Sequence, residues 1–169
     1  MKKLFALSAI ILSVTVACGQ ADKSKRPSPP AVEKETLSGG ATVTIDYSQP
    51  SVKGRAIGKD IAPYGKVWRT GANEPTTIDI TSDVKVEGQT LPAGKYSLWT
   101  IPGENEWVVI FNKKTTGWGT QYDESQDLLR VKVKPAKSTT FNEKMTFDVS
   151  KNGQVAILWG NEQVNFKLQ

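Results

Sequence analysis

Hydrophobic and polar residues alternate along most of the chain after residue 40, with the two-residue period of β-strands. Val43, Ile45 and Tyr47 fall on one face of the first such segment. The predicted strands cover 42–47, 76–81, 84–86, 95–101, 106–112, 128–134, 144–149, 155–159 and 163–168. Gly, Pro, Asn and Asp separate them, and the best helical candidate is a turn at 121–129. The pattern predicts one all-β domain over 41–169, an antiparallel β-sandwich of the jelly-roll or immunoglobulin-like kind.

The N-terminus has the pattern of an export signal. Lys2 and Lys3 precede a largely apolar segment, Leu4 to Val16, which is too short to span a bilayer. Ala17 and Cys18 follow and resemble a lipobox, in which the cysteine is acylated and becomes the first mature residue. This predicts a signal peptide over 1–17, lipidation at Cys18 and a membrane-anchored location in the cell envelope. The alternative, an ordinary signal peptide, would leave a lone thiol in an oxidising compartment.

Residues 18–40 differ in composition from the rest of the chain. They are rich in Pro, Ser, Lys and Glu and offer almost no apolar surface to bury. We therefore predict a flexible, solvated tether that holds the domain away from the lipid surface.

Charge and residue types exclude several function classes. The formal charge of the chain is +5, and removing two charges for Lys2 and Lys3 and one for the tether leaves +2 on the domain. This is too small and too dispersed for a nucleic-acid partner. The chain has no His and its only Cys is Cys18, which excludes Ser-His-Asp triads, Cys-His pairs and His-ligated metals in their simple forms. We expect no cofactor and no metal.

The densest polar stretches are 47–55 and 63–74. Together with Leu91 to Leu98, Ile101 to Gly103 and the pair Glu106 and Trp107, they resemble the bacterial family called domain of unknown function 2911. The resemblance covers essentially the whole domain, and the motif from Trp68 to Glu74 is its most specific part. It implies an exported all-β protein and no assigned activity, so no catalytic residue follows from it.

The residue types in these stretches suit ligand binding. Arg69 can grip a carboxylate, sulfate or phosphate with two hydrogen bonds, and Trp68 offers a flat face to a sugar ring or peptide side chain. A structural role is the alternative: Trp68 in the core, Arg69 paired with Glu74 or Asp127, and Asn73 satisfying a turn. The candidate ligand-binding residues are Lys53, Arg55, Tyr64, Trp68, Arg69, Asn73, Glu74, Trp118, Tyr122 and Asp127.

A second polar stretch runs from Trp118 to Asp127. Asp123, Glu124 and Asp127 could supply oxygen ligands to calcium, but the spacing and glycine of an EF-hand are missing. An acidic start to a helical turn explains Asp123 and Glu124 equally well.

These observations favour a tethered binding module that recognises an anionic, carbohydrate or peptide ligand of the envelope. One alternative is a glycosidase-like hydrolase that uses Glu74 with Asp127 or Glu124. Another is a structural envelope protein without a small ligand. Oligomeric state does not follow from the sequence.

Overall fold

The computed structural model describes residues 22–169, so the predicted signal peptide and Cys18 lie outside the described residues. The strands are β1 (Pro30–Thr36), β2 (Thr42–Ser48), β3 (Thr77–Ile80), β4 (Val84–Val86), β5 (Gln89–Leu91), β6 (Gly94–Ile101), β7 (Trp107–Asn112), β8 (Asp127–Val133), β9 (Pro135–Val149) and β10 (Gln154–Lys167). Within 22–169 the helical content is two short 3₁₀ turns, Lys23–Lys25 and Glu124–Gln126. No helix in this range is long and apolar enough to cross a membrane. The all-β prediction is confirmed.

The strands form two packed layers. Six antiparallel strands make the larger sheet, in the order β1-β2-β3-β6-β7-β8. The long hairpin of β9 and β10 lies across it, and the contact is aromatic: Tyr47 meets Phe147 at 4.9 Å between ring centroids, and Phe111 meets Phe166 at 5.9 Å. β4 and β5 form a small separate hairpin. Apolar side chains of both layers share one core, which is the arrangement expected of a β-sandwich.

The centre of the larger sheet is buried on both faces. Leu98 of β6 and its register partner Phe111 of β7 point into the core. The next pair, Trp99 and Ile110, points to the opposite face but is equally buried. The loop after β7 covers this outer face, where the ring of Tyr122 lies 5.0 Å from that of Trp99.

The predicted tether is wrong for residues 30–36, because β1 pairs along its whole length with β2. An edge strand is held mainly by backbone hydrogen bonds, so it needs few apolar side chains and gives little periodic signal. Leu37, directly after β1, is buried in the core. The folded unit therefore begins before residue 41.

Two boundaries also differ from prediction. The segments 155–159 and 163–168 belong to one continuous strand, β10, which bends at a bulge where Gly160 has a φ of +58°. Its partner β9 starts at Pro135 rather than at residue 144. The sequence pattern missed the added residues because most of them are exposed and they lack an apolar stripe. The helical turn predicted at 121–129 is limited to Glu124–Gln126, and β8 begins at Asp127.

Candidate functional site

The loop between β2 and β3, residues 49–76, contains most of the candidate residues and is tied to the larger sheet. The backbone N–H of Trp68 donates to the Thr100 carbonyl at 2.7 Å, and the Thr100 N–H donates back at 2.9 Å. Next to this bridge, the Thr70 hydroxyl donates to the Thr100 hydroxyl at 3.1 Å, inside the protein. The loop is therefore an extension of the sheet beside β6, and Trp68 and Arg69 have fixed positions.

Two indole rings form the wall of a pocket at this end of the sandwich. Trp68 stacks on Trp159 of β10, with ring centroids 5.1 Å apart and planes 7° from parallel. Trp107 meets Trp68 edge-on at 6.5 Å. Trp159 is only 4% exposed, and its Nε1–H has no hydrogen-bond partner among the described residues. Most buried N–H groups in proteins have a hydrogen-bond partner, and leaving one without a partner costs free energy. The Trp159 indole N–H is an exception to this rule.

The pocket has a volume of about 440 Å³. This lies within the range of about 300–1,000 Å³ that is usual for small-ligand sites. Its lining residues are Ser28, Pro50, Arg55, Ile61, Ala62, Trp68, Arg69, Gly71, Ala72, Asn73, Trp118 and Trp159. The charged residues in this lining are both arginines, so the pocket is electropositive.

The partner predicted for Arg69 is wrong: neither Glu74 nor Asp127 holds it. Its Nη1 donates to the backbone carbonyl of Asn73 at 3.1 Å. Gly119 packs against the same group, since a Cβ there would lie 2.6 Å from Arg69 Cδ and 2.5 Å from the Asn73 carbonyl oxygen. The guanidinium is thus oriented without being neutralised by a carboxylate.

Arg55 is oriented in the same manner. Its Nε donates to the Val52 carbonyl at 3.1 Å and its Nη2 to the Ser51 carbonyl at 2.7 Å. Backbone carbonyls hold both arginines in place and leave their positive charge uncompensated within the pocket lining. Such a pair can bind a carboxylate, sulfate or phosphate without first breaking an ion pair.

Asn73 and Glu74 connect the loop to the N-terminal segment. The Asn73 amide donates to the Ser28 carbonyl at 3.0 Å and to the Ser48 hydroxyl at 3.2 Å, and its φ of +60° is one that asparagine tolerates. Glu74 accepts two hydrogen bonds from Arg26 Nη1, at 2.8 and 2.9 Å, and these lower its pKa to about 2. Residues that were predicted to be tether therefore brace the loop.

Tyr122 and Asp127 lie in a separate cluster on the outer face of the larger sheet. Asp127 accepts from the Tyr122 hydroxyl at 2.5 Å, from Arg130 Nε at 2.7 Å and from the Asn112 amide at 2.7 Å. Burial, and then the bond to Asp127, raises the pKa of Tyr122. Arg130 also donates to Glu124. The arginine of this cluster is therefore paired with two carboxylates.

The acidic run before β8 has a local structural role. Asp123 caps the short 3₁₀ turn, and its carboxylate accepts from the Ser125 N–H and hydroxyl, which lowers its pKa. In the part of the chain that the structure describes, no three His, Cys, Asp or Glu side chains are grouped so as to hold a metal ion. Glu74 lines a small cavity with Lys23 and Arg26, and neither Glu124 nor Asp127 lines it, since both pair with Arg130. The hydrolase hypothesis therefore gains no support from the described cavities.

The family whose description reads protein of unknown function (DUF2911) matches residues 28–168. The chain belongs to this family. No curated protein and no solved structure matches it. The family match begins at a residue that lines the pocket, Ser28, and includes β1, in agreement with a folded unit that starts before residue 41.

Five of the predicted site residues meet in the DUF2911 pocket, and five do not. Those that meet there are Arg55, Trp68, Arg69, Asn73 and Trp118. Lys53 is exposed, with its backbone N–H bound to Glu143, and Tyr64 is exposed with its ring against Gly58. Glu74, Tyr122 and Asp127 are engaged in the clusters described above.

Trp159 was missed because it lies in a strand whose apolar residues look alike in the sequence. In the pattern from Val155 to Trp159, nothing separates a core tryptophan from one that lines a pocket. The one available signal was Gly160, because a glycine within a strand often marks a bulge or a close approach. Ser28 was missed because it fell in the predicted tether.

Proposed function

We propose that this DUF2911 domain is a binding module for an anionic ligand and that the pocket beneath Trp68 and Trp159 is its binding site. One observation carries the proposal: Arg55 and Arg69 line one pocket beside the stacked indoles, and among the described residues neither arginine forms an ion pair with a carboxylate. Two fixed cations without an anionic partner at one place are what a bound anion would satisfy.

The chemistry of the pocket fits an anion attached to a ring or an apolar group. Arg55 and Arg69 are held by backbone carbonyls, so little conformational entropy is lost when they bind. The stacked indoles supply a flat apolar wall, and Trp118, which is 50% exposed, can close over the bound group. A carboxylate, sulfate or phosphate on a sugar or peptide meets these requirements.

The test uses tryptophan fluorescence, because three of the chain's five tryptophans line the pocket. The folded domain is titrated with glucuronate, phosphate, sulfate and a short acidic peptide. At least one anion should change the emission with saturable binding, and Arg69→Ala should weaken it by at least about tenfold, because charge-assisted hydrogen bonds are lost. Arg69→Lys should recover only part of the affinity, since lysine lacks the two-pronged geometry.

The matched control is Lys134→Ala, which removes one positive charge from an exposed site outside the pocket. If Arg69→Ala and Lys134→Ala weaken binding equally, the effect comes from net charge and the pocket is not the site. If no anion binds, a structural envelope protein becomes the better description.

We further propose that Cys18 is lipidated and anchors the protein to a membrane of the cell envelope. The support is the position of Cys18 directly after an apolar segment, in a chain with no other cysteine. In fractionated cells the wild type should sediment with membranes, and Cys18→Ala should move to the soluble fraction. A variant that stays in the membrane pellet would contradict the anchor and leave the binding proposal untouched.

A further inference from the structure

A second cavity adjoins the proposed anion pocket. It has a volume of about 270 Å³ and is lined by Val52, Arg55, Ala56, Ile57, Lys137, Phe141, Gly160, Asn161 and Glu162. Arg55 lines both cavities, and Trp159 of the first is followed directly by Gly160 of the second. The two cavities are therefore neighbours that share Arg55, and together they are called the groove.

The groove has an exposed aromatic ring in each part. Trp118, 50% exposed, lines only the first cavity, and Phe141, 58% exposed, lines only the second. Phe141 lies over the bulge in β10, since a Cβ on Gly160 would come within 3.9 Å of its ring. An exposed aromatic side chain that stands in a groove rather than in the core offers a flat face to a ligand.

The polar groups of the two cavities differ. The first presents cationic and N–H donors without a carboxylate, which suits an anionic group. The second contains the Lys137–Glu162 ion pair and Asn161, so it offers both donors and acceptors. Hydroxyl groups donate and accept at once, so the second cavity suits a hydroxyl-rich group beside the ring of Phe141.

We propose that the ligand is an acidic oligosaccharide, with a sugar carboxylate in the first cavity and a neighbouring sugar on Phe141 in the second. The inference rests on the proposed function of the first cavity and extends it to a substrate class. A sugar ring has an apolar C–H face and a rim of hydroxyls, which are the two features that Phe141 and the polar groups around it complement. The second cavity is below the usual size of an independent ligand site, which also favours an extension of the first.

The experiment compares galacturonate with tetragalacturonate by isothermal titration calorimetry on the folded domain. The tetramer should bind at least about tenfold more tightly than the monomer, because it occupies both cavities. Phe141→Ala should remove most of that gain and change the affinity for the monomer by less than about twofold. Leu128→Ala, another exposed apolar residue outside the groove, should change neither affinity.

Arg69→Ala tests the first cavity, on which both proposals rest. It should weaken both ligands, because both place a carboxylate there. The oligosaccharide proposal is wrong if the tetramer binds no more tightly than the monomer, or if Phe141→Ala keeps the gain in affinity. Neither result would contradict the anion pocket. Tetraglutamate that binds better than tetragalacturonate, in an Arg69-dependent manner, would replace the sugar with an acidic peptide. Binding of none of these anions would remove both proposals.

Discussion

Two regions of this domain share several residue types but differ in how their arginines are paired. The outer-face cluster and the pocket each combine aromatic rings, arginine and asparagine. In the outer cluster, Arg130 donates to two carboxylates and a tyrosine hydroxyl. In the pocket, Arg55 and Arg69 donate to backbone carbonyls. The two regions therefore differ in whether a carboxylate accompanies the arginine, and this difference is the basis for proposing that one is structural and the other binds a ligand.

The comparison predicts that the outer cluster carries stability. Asp127 is largely buried and accepts three hydrogen bonds, so Asp127→Ala removes one partner from each of Tyr122, Asn112 and Arg130. We expect the free energy of unfolding to fall by about 2–4 kcal/mol, measured by urea denaturation. Asp79→Ala, at an exposed position of β3, is the control and should cost little. Equal losses of unfolding free energy in Asp127→Ala and Asp79→Ala would contradict a structural role for the outer cluster.

Gly119→Ala tests how tightly the pocket is built. The added methyl would clash with Arg69 Cδ and with the Asn73 carbonyl, so both must shift. We expect a loss of about 1–3 kcal/mol in unfolding free energy, together with weaker anion binding. Gly39→Ala is the control, because a Cβ there would have nothing within 4 Å. Unchanged stability and binding would mean that the loop moves aside and does not hold Arg69 rigidly.

Arg69→Ala should separate function from stability. It removes one hydrogen bond to a backbone carbonyl and no ion pair, so we expect a loss of about 1 kcal/mol or less in urea denaturation. Arg130→Ala, measured in parallel, should cost more because it leaves Asp127 unpaired. A larger loss for Arg69→Ala than for Arg130→Ala would mean that the pocket arginine is structural.

The smallest expected effect is the pH dependence that the Glu74 side chain gives to the free energy of unfolding. Arg26 lowers its pKa in the folded protein to about 2, below its unfolded value of about 4.3. The pair therefore contributes stability above about pH 4.3, and this contribution is lost as the pH falls towards 2. Since the Glu74 side chain is 40% exposed, we expect less than about 1 kcal/mol. The difference in unfolding free energy between wild type and Glu74→Gln should shrink over this pH range; a constant difference would contradict the assignment.

The sequence predicted most of the strands, because most of them have one buried face and therefore a period of two, and β6 and β7 have apolar centres between turn residues. It failed at β1 and at the start of β9, where backbone pairing holds strands that bury little side-chain surface. For the pocket, it supplied Arg55, Trp68, Arg69, Asn73 and Trp118 as candidates from residue type and crowding within loops. It paired Arg69 with the wrong groups, since in the folded protein Arg26 binds Glu74 and Arg130 binds Asp127.

By itself, the sequence determined the fold class, because alternating burial and turn residues are local properties of the chain. It also restricted the chemistry, because a chain without histidine and with Cys18 as its only cysteine cannot form a Ser-His-Asp triad, a Cys-His pair or a His-ligated metal site. Only the tertiary structure decided that Glu74 binds Arg26, that Asp127 binds Arg130, and that Trp159 meets Trp68. The first and the last of these contacts join residues far apart in the chain, while Asp127 and Arg130 lie in the same strand; the free energies of all three depend on distance and burial, which arise only in the folded protein.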